Sequence, residues 1–262
     1  MSEEQGFRMK TLGLLGGMSW ESTALYYQII NETVRAKLGG LHSAKLILHC
    51  VDFHDIEQLQ QEDRWEEAGS LLARAAHQIE LAGADLLVLC TNTMHEIAGA
   101  IEQTVQIPLL HIADATAQEI RESGMVTVGL LGTRFTMERD FYRGRLLKNY
   151  GLNVLTPDES DRTFVHRVIY EELCLGKIRE ASRNEYKKII QKLVDRGAEG
   201  IILGCTEIPL LVQSEDSPLP LFDTTKIHAR KAAEWAIQGF DKKPRRGDPR
   251  SCDERSESRG RY

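Results

Sequence analysis

ADLLVLCTNTMH, residues 84–95, and AEGIILGCTEIP, residues 198–209, are two versions of one phrase: a small residue, an acid, an apolar run, a cysteine, then threonine beside asparagine or glutamate. An unbroken apolar run ending in a polar turn reads as a strand buried on both faces, the kind found in parallel sheets covered by helices. The duplication extends outward. Gly13-Leu14-Leu15-Gly16 recurs as Gly129-Leu130-Leu131-Gly132 (offset 116), Gly83-Ala84-Asp85 as Gly197-Ala198-Glu199 (offset 114), and Pro108 of IPLLHI as Pro220 of LPLF (offset 112), while Cys90 and Cys205 stand 115 apart. Landmarks repeated in one order at nearly constant spacing describe an internal repeat of about half the chain, too long for a solenoid unit. Two homologous lobes follow, and two thiols in matching settings suggest a pair working from opposite sides of one ligand.

The elements between these landmarks alternate. TLGLLGGMS (11–19) reads as strand and glycine turn, WESTALYYQIINETVRAKL as a helix, KLILHCVDF (45–53) as a strand and WEEAGSLLARAAHQIELAG (65–83) as an amphipathic helix closed by glycine. TMHEIAGAIEQTV as a helix and IPLLHI as a strand complete the first lobe. The second runs VTVGLLG, MERDFYRGRLLKNYG, LNVLTP, RTFVHRVIYEELCLG, SRNEYKKIIQKLVDRG and EGIILGC in the same alternation. The expected fold is α/β: two pseudo-symmetric lobes, each a parallel sheet flanked by helices, with the active site in the cleft between them. Lobe 1 is expected over 9–118 plus 219–240, lobe 2 over 119–218, and residues 241–262, with eight basic and five acidic side chains and no apolar periodicity, as a disordered charged tail. The final helix TTKIHARKAAEWAIQGF is expected to pack back on the first lobe.

Composition narrows the function. At 262 residues, 42% hydrophobic and net charge −6, the chain can bury cores for two lobes but offers no basic face for nucleic acid or an anionic membrane. Five cysteines without a CxxC pair and an N-terminus lacking an apolar signal segment point to a reduced, cytoplasmic setting. The turn Gly13-Leu14-Leu15-Gly16-Gly17 does not fit GxGxxG, and no GxxxxGK[ST] occurs, so a nucleotide cofactor is not expected.

In open parallel sheets, ligands bind beyond the carboxyl ends of the strands. Met18 and Ser19, Cys90 through Thr93, Gly132 through Arg134, and Cys205 through Glu207 all fall at such ends. A cysteine at a helix N-terminus is favoured as thiolate by the helix dipole, which would suit each thiol to acid–base work. A plainer reading exists for each feature: cysteine is among the most buried residue types, Thr91, Asn92 and Thr206 make good helix N-caps, and the glycine turn suits strand-to-helix packing. Duplication favours the functional reading. Cys90, His95 and Cys205 could be assembled as three zinc ligands, but no regular metal spacing supports this and no metal is expected. Cys50 and Cys174 lie in apolar runs as core residues.

At LGLLGGMSWEST, CTNTMH and GCTEI the chain resembles the cofactor-independent aspartate/glutamate racemases over about Met9 to Gly239, most closely the bacterial enzymes of broad acidic specificity. The resemblance implies racemisation of aspartate and glutamate without pyridoxal, one cysteine removing the Cα proton while its opposite returns one. It implies Cys90 and Cys205 as that pair, and Asn92, Thr91, Thr93, Thr206, Glu207 and Met18 around the amino-acid substrate, in a homodimer. Family members place arginine and lysine toward the substrate carboxylates. Here those positions read Ile56 and Thr163, leaving adjacent Arg162 as the expected substitute, with His54 and Arg64 near the first. The superfamily also holds isomerases and decarboxylases of small dicarboxylates, which rework the same cysteine positions. A non-catalytic two-lobed amino-acid sensor would keep the fold with inert thiols.

Overall fold

Each apolar run becomes a strand in the computed structural model, which describes residues 8–238; the charged tail lies outside the described residues. In the first half β1 (Thr11–Gly16), α1 (Trp20–Leu38), β2 (Lys45–Cys50), α2 (Phe53–Gln61), α3 (Trp65–Leu81), β3 (Leu86–Leu89), α4 (Ala98–Glu102) and β4 (Leu109–Leu110) follow in order. α5 (Ile112–Glu122) crosses to the second half, where β5 (Thr127–Gly132), α6 (Arg134–Glu138), α7 (Asp140–Tyr150), β6 (Asn153–Leu155), α8 (Glu159–Glu171), α9 (Glu180–Asp195), β7 (Gly200–Gly204), α10 (Ile208–Leu211), β8 (Leu221–Asp223) and α11 (Thr224–Ala236) follow among the described residues. The strands form two parallel four-stranded sheets, ordered β2-β1-β3-β4 and β6-β5-β7-β8.

The repeat is physical as well as textual. A Cβ on Gly13 would stand 2.2 Å from Ile79 Cγ2 of α3, and one on its mate Gly129 would stand 2.9 Å from Leu193 Cδ1 of α9. In each lobe the missing side chain lets a helix lie directly on the central strand.

Four expectations are corrected. The KLILHC strand stops at Cys50, because Asp52 caps a helix at Phe53 by accepting from the His54 backbone N–H. TMHEIAGAIEQTV opens as a 3₁₀ turn over Thr93–Ile97, since the Asn92 amide is committed to Thr224 and caps nothing. The helix expected from Met137 starts at Arg134, capped by Thr133, and breaks at Arg139, whose backbone is extended. Strand β8 pairs with β7 in the second sheet, so residues 221–223 belong with lobe 2, not with the first lobe.

Only the helix after β8 crosses back: Ala229, Ala232, Ala233 and Ala236 of α11 share a buried cluster with Tyr26, Ile30 and Val34 of α1. Its counterpart α5 does the reverse, and Ile112, Ala115 and Ile120 sit in the second lobe's core. The lobes thus exchange one helix each, and the strand ends of both sheets meet across the seam.

Candidate active site

The cleft at that seam takes its wall from both lobes. Met18 and Ser19 come from the turn after β1, Thr91, Asn92 and Thr93 from the end of β3, Thr133 from the end of β5, and Cys205, Thr206 and Glu207 from the end of β7. Of the expected site residues these are the ones the structure brings together.

Cys90 is not among them. It is fully buried, its side chain packed with Leu14, Val88 and Ala229 beneath α1 and α11, and its Sγ lies 3.7 Å from the Val88 carbonyl. Burial pushes its thiol far up, with Cys50 adding to the effect. The ladders explain the misplacement. β1 pairs Leu15 with Leu89, and β5 pairs Leu131 with Leu203. Since Leu131 is the mate of Leu15 in the repeat, Leu203 is the mate of Leu89, and Cys205 is the mate of Thr91. Successive residues of a strand face opposite sides, so one step of register separates a core thiol from a cleft wall. The two expected thiols are therefore not brought together: Cys205 lines the cleft, Cys90 faces the core, and Thr91 holds the position that the repeat matches to Cys205.

Cys205 is 7% exposed, and its Sγ donates to Glu207 Oε2 at 3.0 Å. Burial first, then the neighbouring Glu207 charge, hold its thiol well above the ordinary range. The expected lowering by a helix dipole is absent, because only a four-residue helix follows and Glu207 stands closer. Thr206 Oγ1 also donates to Glu207 Oε2, at 2.6 Å, and Ser19 Oγ donates to Oε1 at 3.0 Å from the other lobe. The Glu207 carboxylate is thus held against the thiol by three donors.

Asn92 donates through Nδ2 to Thr224 at 3.0 Å, while its buried Oδ1 has no partner. A buried acceptor left unmade is costly, and it suits a ligand that brings a donor. Thr93, Thr133 and Thr136 bring their hydroxyls together across the seam, with Thr93 Oγ1 3.0 Å from Thr133 Oγ1. Thr133 directly follows the repeated Gly-Leu-Leu-Gly, a signal by which the sequence could have marked it.

Among the described residues, no basic side chain lines the cleft. Arg162 lies outside it, donating to Glu138 Oε1 at 3.0 Å and to the Pro157 carbonyl at 2.7 Å, and its expected place at the substrate is corrected accordingly. Ile56 is buried in the first core, Thr163 is exposed on α8, and exposed Arg64 pairs with Glu62 and Glu67. The cleft wall is completed instead by Phe53, Gln60, Ile169, Tyr170 and Cys174, none marked by the sequence. Cys174, expected in the core, is half-buried at the cleft with its thiol pushed up to about 12 by burial, and Cys50 is exposed.

The imagined zinc set does not assemble: Cys90 faces the core, and both ring nitrogens of His95 are engaged, Nδ1 with the Thr91 carbonyl and Nε2 with the Ile112 N–H. Among the described residues no group of three or more His, Cys, Asp or Glu is arranged to hold a metal ion, and no helix is long and apolar enough to cross a membrane.

The Asp/Glu/hydantoin racemase family matches residues 15–232. A solved protein of Yersinia pestis assigned as an Asp/Glu racemase is 58% identical, covering 88% of this chain and all of its own, with a TM-score of 0.84. An aspartate racemase homologue from Pyrococcus horikoshii is 35% identical over the same shares, with a TM-score of 0.76. The broad specificity amino-acid racemase RacX of Bacillus subtilis is 22% identical over 227 residues, 84% of this chain and 95% of RacX.

Proposed function

This chain belongs to the Asp/Glu/hydantoin racemase family and is an amino-acid racemase, and on that footing we propose that it inverts acidic amino acids, aspartate and glutamate, by proton transfer at Cα without a cofactor. The observation that carries the proposal is that Cys205 and its repeat mate Thr91, from the strand ends of different lobes, line one cleft. Glu207 takes the thiol proton, and the thiolate so formed removes the Cα proton from its face. The Thr91 hydroxyl, on the opposite face, gives its proton to Cα and regains one from solvent, while Glu207 releases to solvent the proton it took. Asn92 Oδ1 accepts from the substrate ammonium, and the hydroxyls of Thr93 and Thr133 donate to its α-carboxylate. A thiol and a hydroxyl are not equivalent acids, so the two directions of the reaction should run at unequal rates.

The enzyme is taken to be a cytoplasmic homodimer, which gel filtration with light scattering tests. For the reaction, the protein is incubated with L-aspartate or L-glutamate in deuterated water. The α-proton should exchange and the optical rotation decay; no exchange with any amino acid would overturn the proposal.

A further inference from the structure

With Cα between Cys205 and Thr91, and the ammonium and α-carboxylate at Asn92 and the threonines, the side chain of a bound amino acid can meet only the remaining wall. That wall is carbon at Phe53 and Ile169 and a protonated thiol at Cys174. Ser19, Thr206 and Glu207 also line the cleft but are bonded to one another, which leaves the Gln60 amide and the Tyr170 hydroxyl, from α2 of one lobe and α8 of the other, meeting at 3.4 Å with Tyr170 donating to Gln60 Oε1.

Both are placed to donate. Gln60 is 4% exposed and spends one amide hydrogen on Met94 Sδ, a weak acceptor, leaving the second free. Burial, reinforced by Cys205 and Cys174 nearby, holds the Tyr170 hydroxyl well above its ordinary range, so it keeps its proton. Its long bond to Gln60 is easily exchanged for a shorter one to a ligand oxygen. The positions where a cation was expected, Ile56, Thr163 and Arg162, do not reach the cleft.

Resting on the racemase reading above, we propose that Gln60 and Tyr170 are the specificity-determining residues for the substrate side chain. They take its terminal carboxylate between two uncharged donors from opposite lobes, in place of a cation. Such a site reads an oxygen acceptor at the end of a short side chain, and binding draws α2 and α8 together over it.

The test compares wild type, Gln60→Glu, Tyr170→Phe and Arg162→Ala. Turnover is followed by circular dichroism, and Kd, independently of turnover, by titration calorimetry with aspartate, glutamate, asparagine and glutamine. Gln60→Glu should weaken the two acids by about tenfold or more, because it sets carboxylate against carboxylate, and should leave the amides within about threefold, because an amide can donate to the new carboxylate. Tyr170→Phe should raise KM for the acids by about five- to tenfold with kcat less changed. Arg162→Ala should leave every Kd unchanged. Acids and amides weakening together in Gln60→Glu would mark a structural role and overturn the inference, as would acids bound as before, or a loss confined to Arg162→Ala. Wild type that binds the acids without exchanging their α-proton would sink the racemase reading alone, whereas failure to bind any of the four overturns both.

Discussion

At the scale of single residues, the site turns on one step of register. The stretches beginning at Ala84 and Ala198 align without a gap at the offset of 114 set by Gly83 and Gly197, which places Thr91 against Cys205. Matching the cysteines to each other required 115, and the extra residue turned the side chain from cleft to core. The strands, the polar turns after them and the place of Cys205 just beyond β7 were legible; which neighbour lines the cleft was not, since both are small and follow an apolar run. Cys205→Ala should lose about 10² to 10⁴ in kcat, the range of one acid–base group. Cys90→Ala should keep racemisation within a few-fold and cost about 1 kcal/mol of stability, from a small vacancy under α11. Rates from circular dichroism and midpoints from urea unfolding check the pair. Loss of activity in Cys90→Ala, in protein of unchanged midpoint, would restore the two-thiol site.

At the scale of elements, periodicity located every sheet strand but misplaced several ends. Apolar runs mark where a chain is buried, whereas ends are decided by single polar contacts such as the Asp52 cap and the bond from Asn92 to Thr224. The reciprocal crossing of α5 and α11 was half legible, in the expectation that the last helix packs back, because an amphipathic stripe shows that a helix is covered but not by which lobe. The stripe on α11 is of alanines, and small side chains let it lie close to α1. Ala232 is fully buried there. Ala232→Leu should therefore overpack this contact and cost about 1–3 kcal/mol, read as a lower urea midpoint at constant m-value. A neutral effect would mean that α11 is loosely seated and that the helix exchange does little to hold the lobes together.

At the scale of the whole molecule, the two lobes are joined through buried, uncharged histidines. His95 bridges the Thr91 carbonyl, at 2.8 Å, to the start of α5; His111 caps α5 by accepting from the Ala113 N–H; and His228 of α11 links Tyr26, on α1, to the Leu110 carbonyl. The His95 ring lies 4.5 Å from that of His111 and 5.8 Å from that of His228. His95 and His111 each accept from a backbone N–H, so protonation would break that bond as well as bury a charge, while a protonated His228 would keep its Tyr26 bond by donating to the hydroxyl and bear only the buried charge. Burial depresses all three, joined at His95 and His111 by neighbouring histidines and by Arg145; His111 falls to about 3 and His228, by burial alone, to about 4. The unfolded chain, with histidines near 6.5, binds more protons than the native state below that pH. Stability from this network is thus fully present above about pH 6.5 and falls as pH drops toward 4, by about 2 kcal/mol at pH 5 for each of His111 and His228, with His95 acting in the same direction. Urea midpoints should stay level from pH 8 to 7 and then decline steeply, and His228→Gln should flatten that decline while lowering the midpoint at pH 7. A pH-independent midpoint between 7 and 5 would mean that the three rings are open to solvent and that the lobes are held together without them.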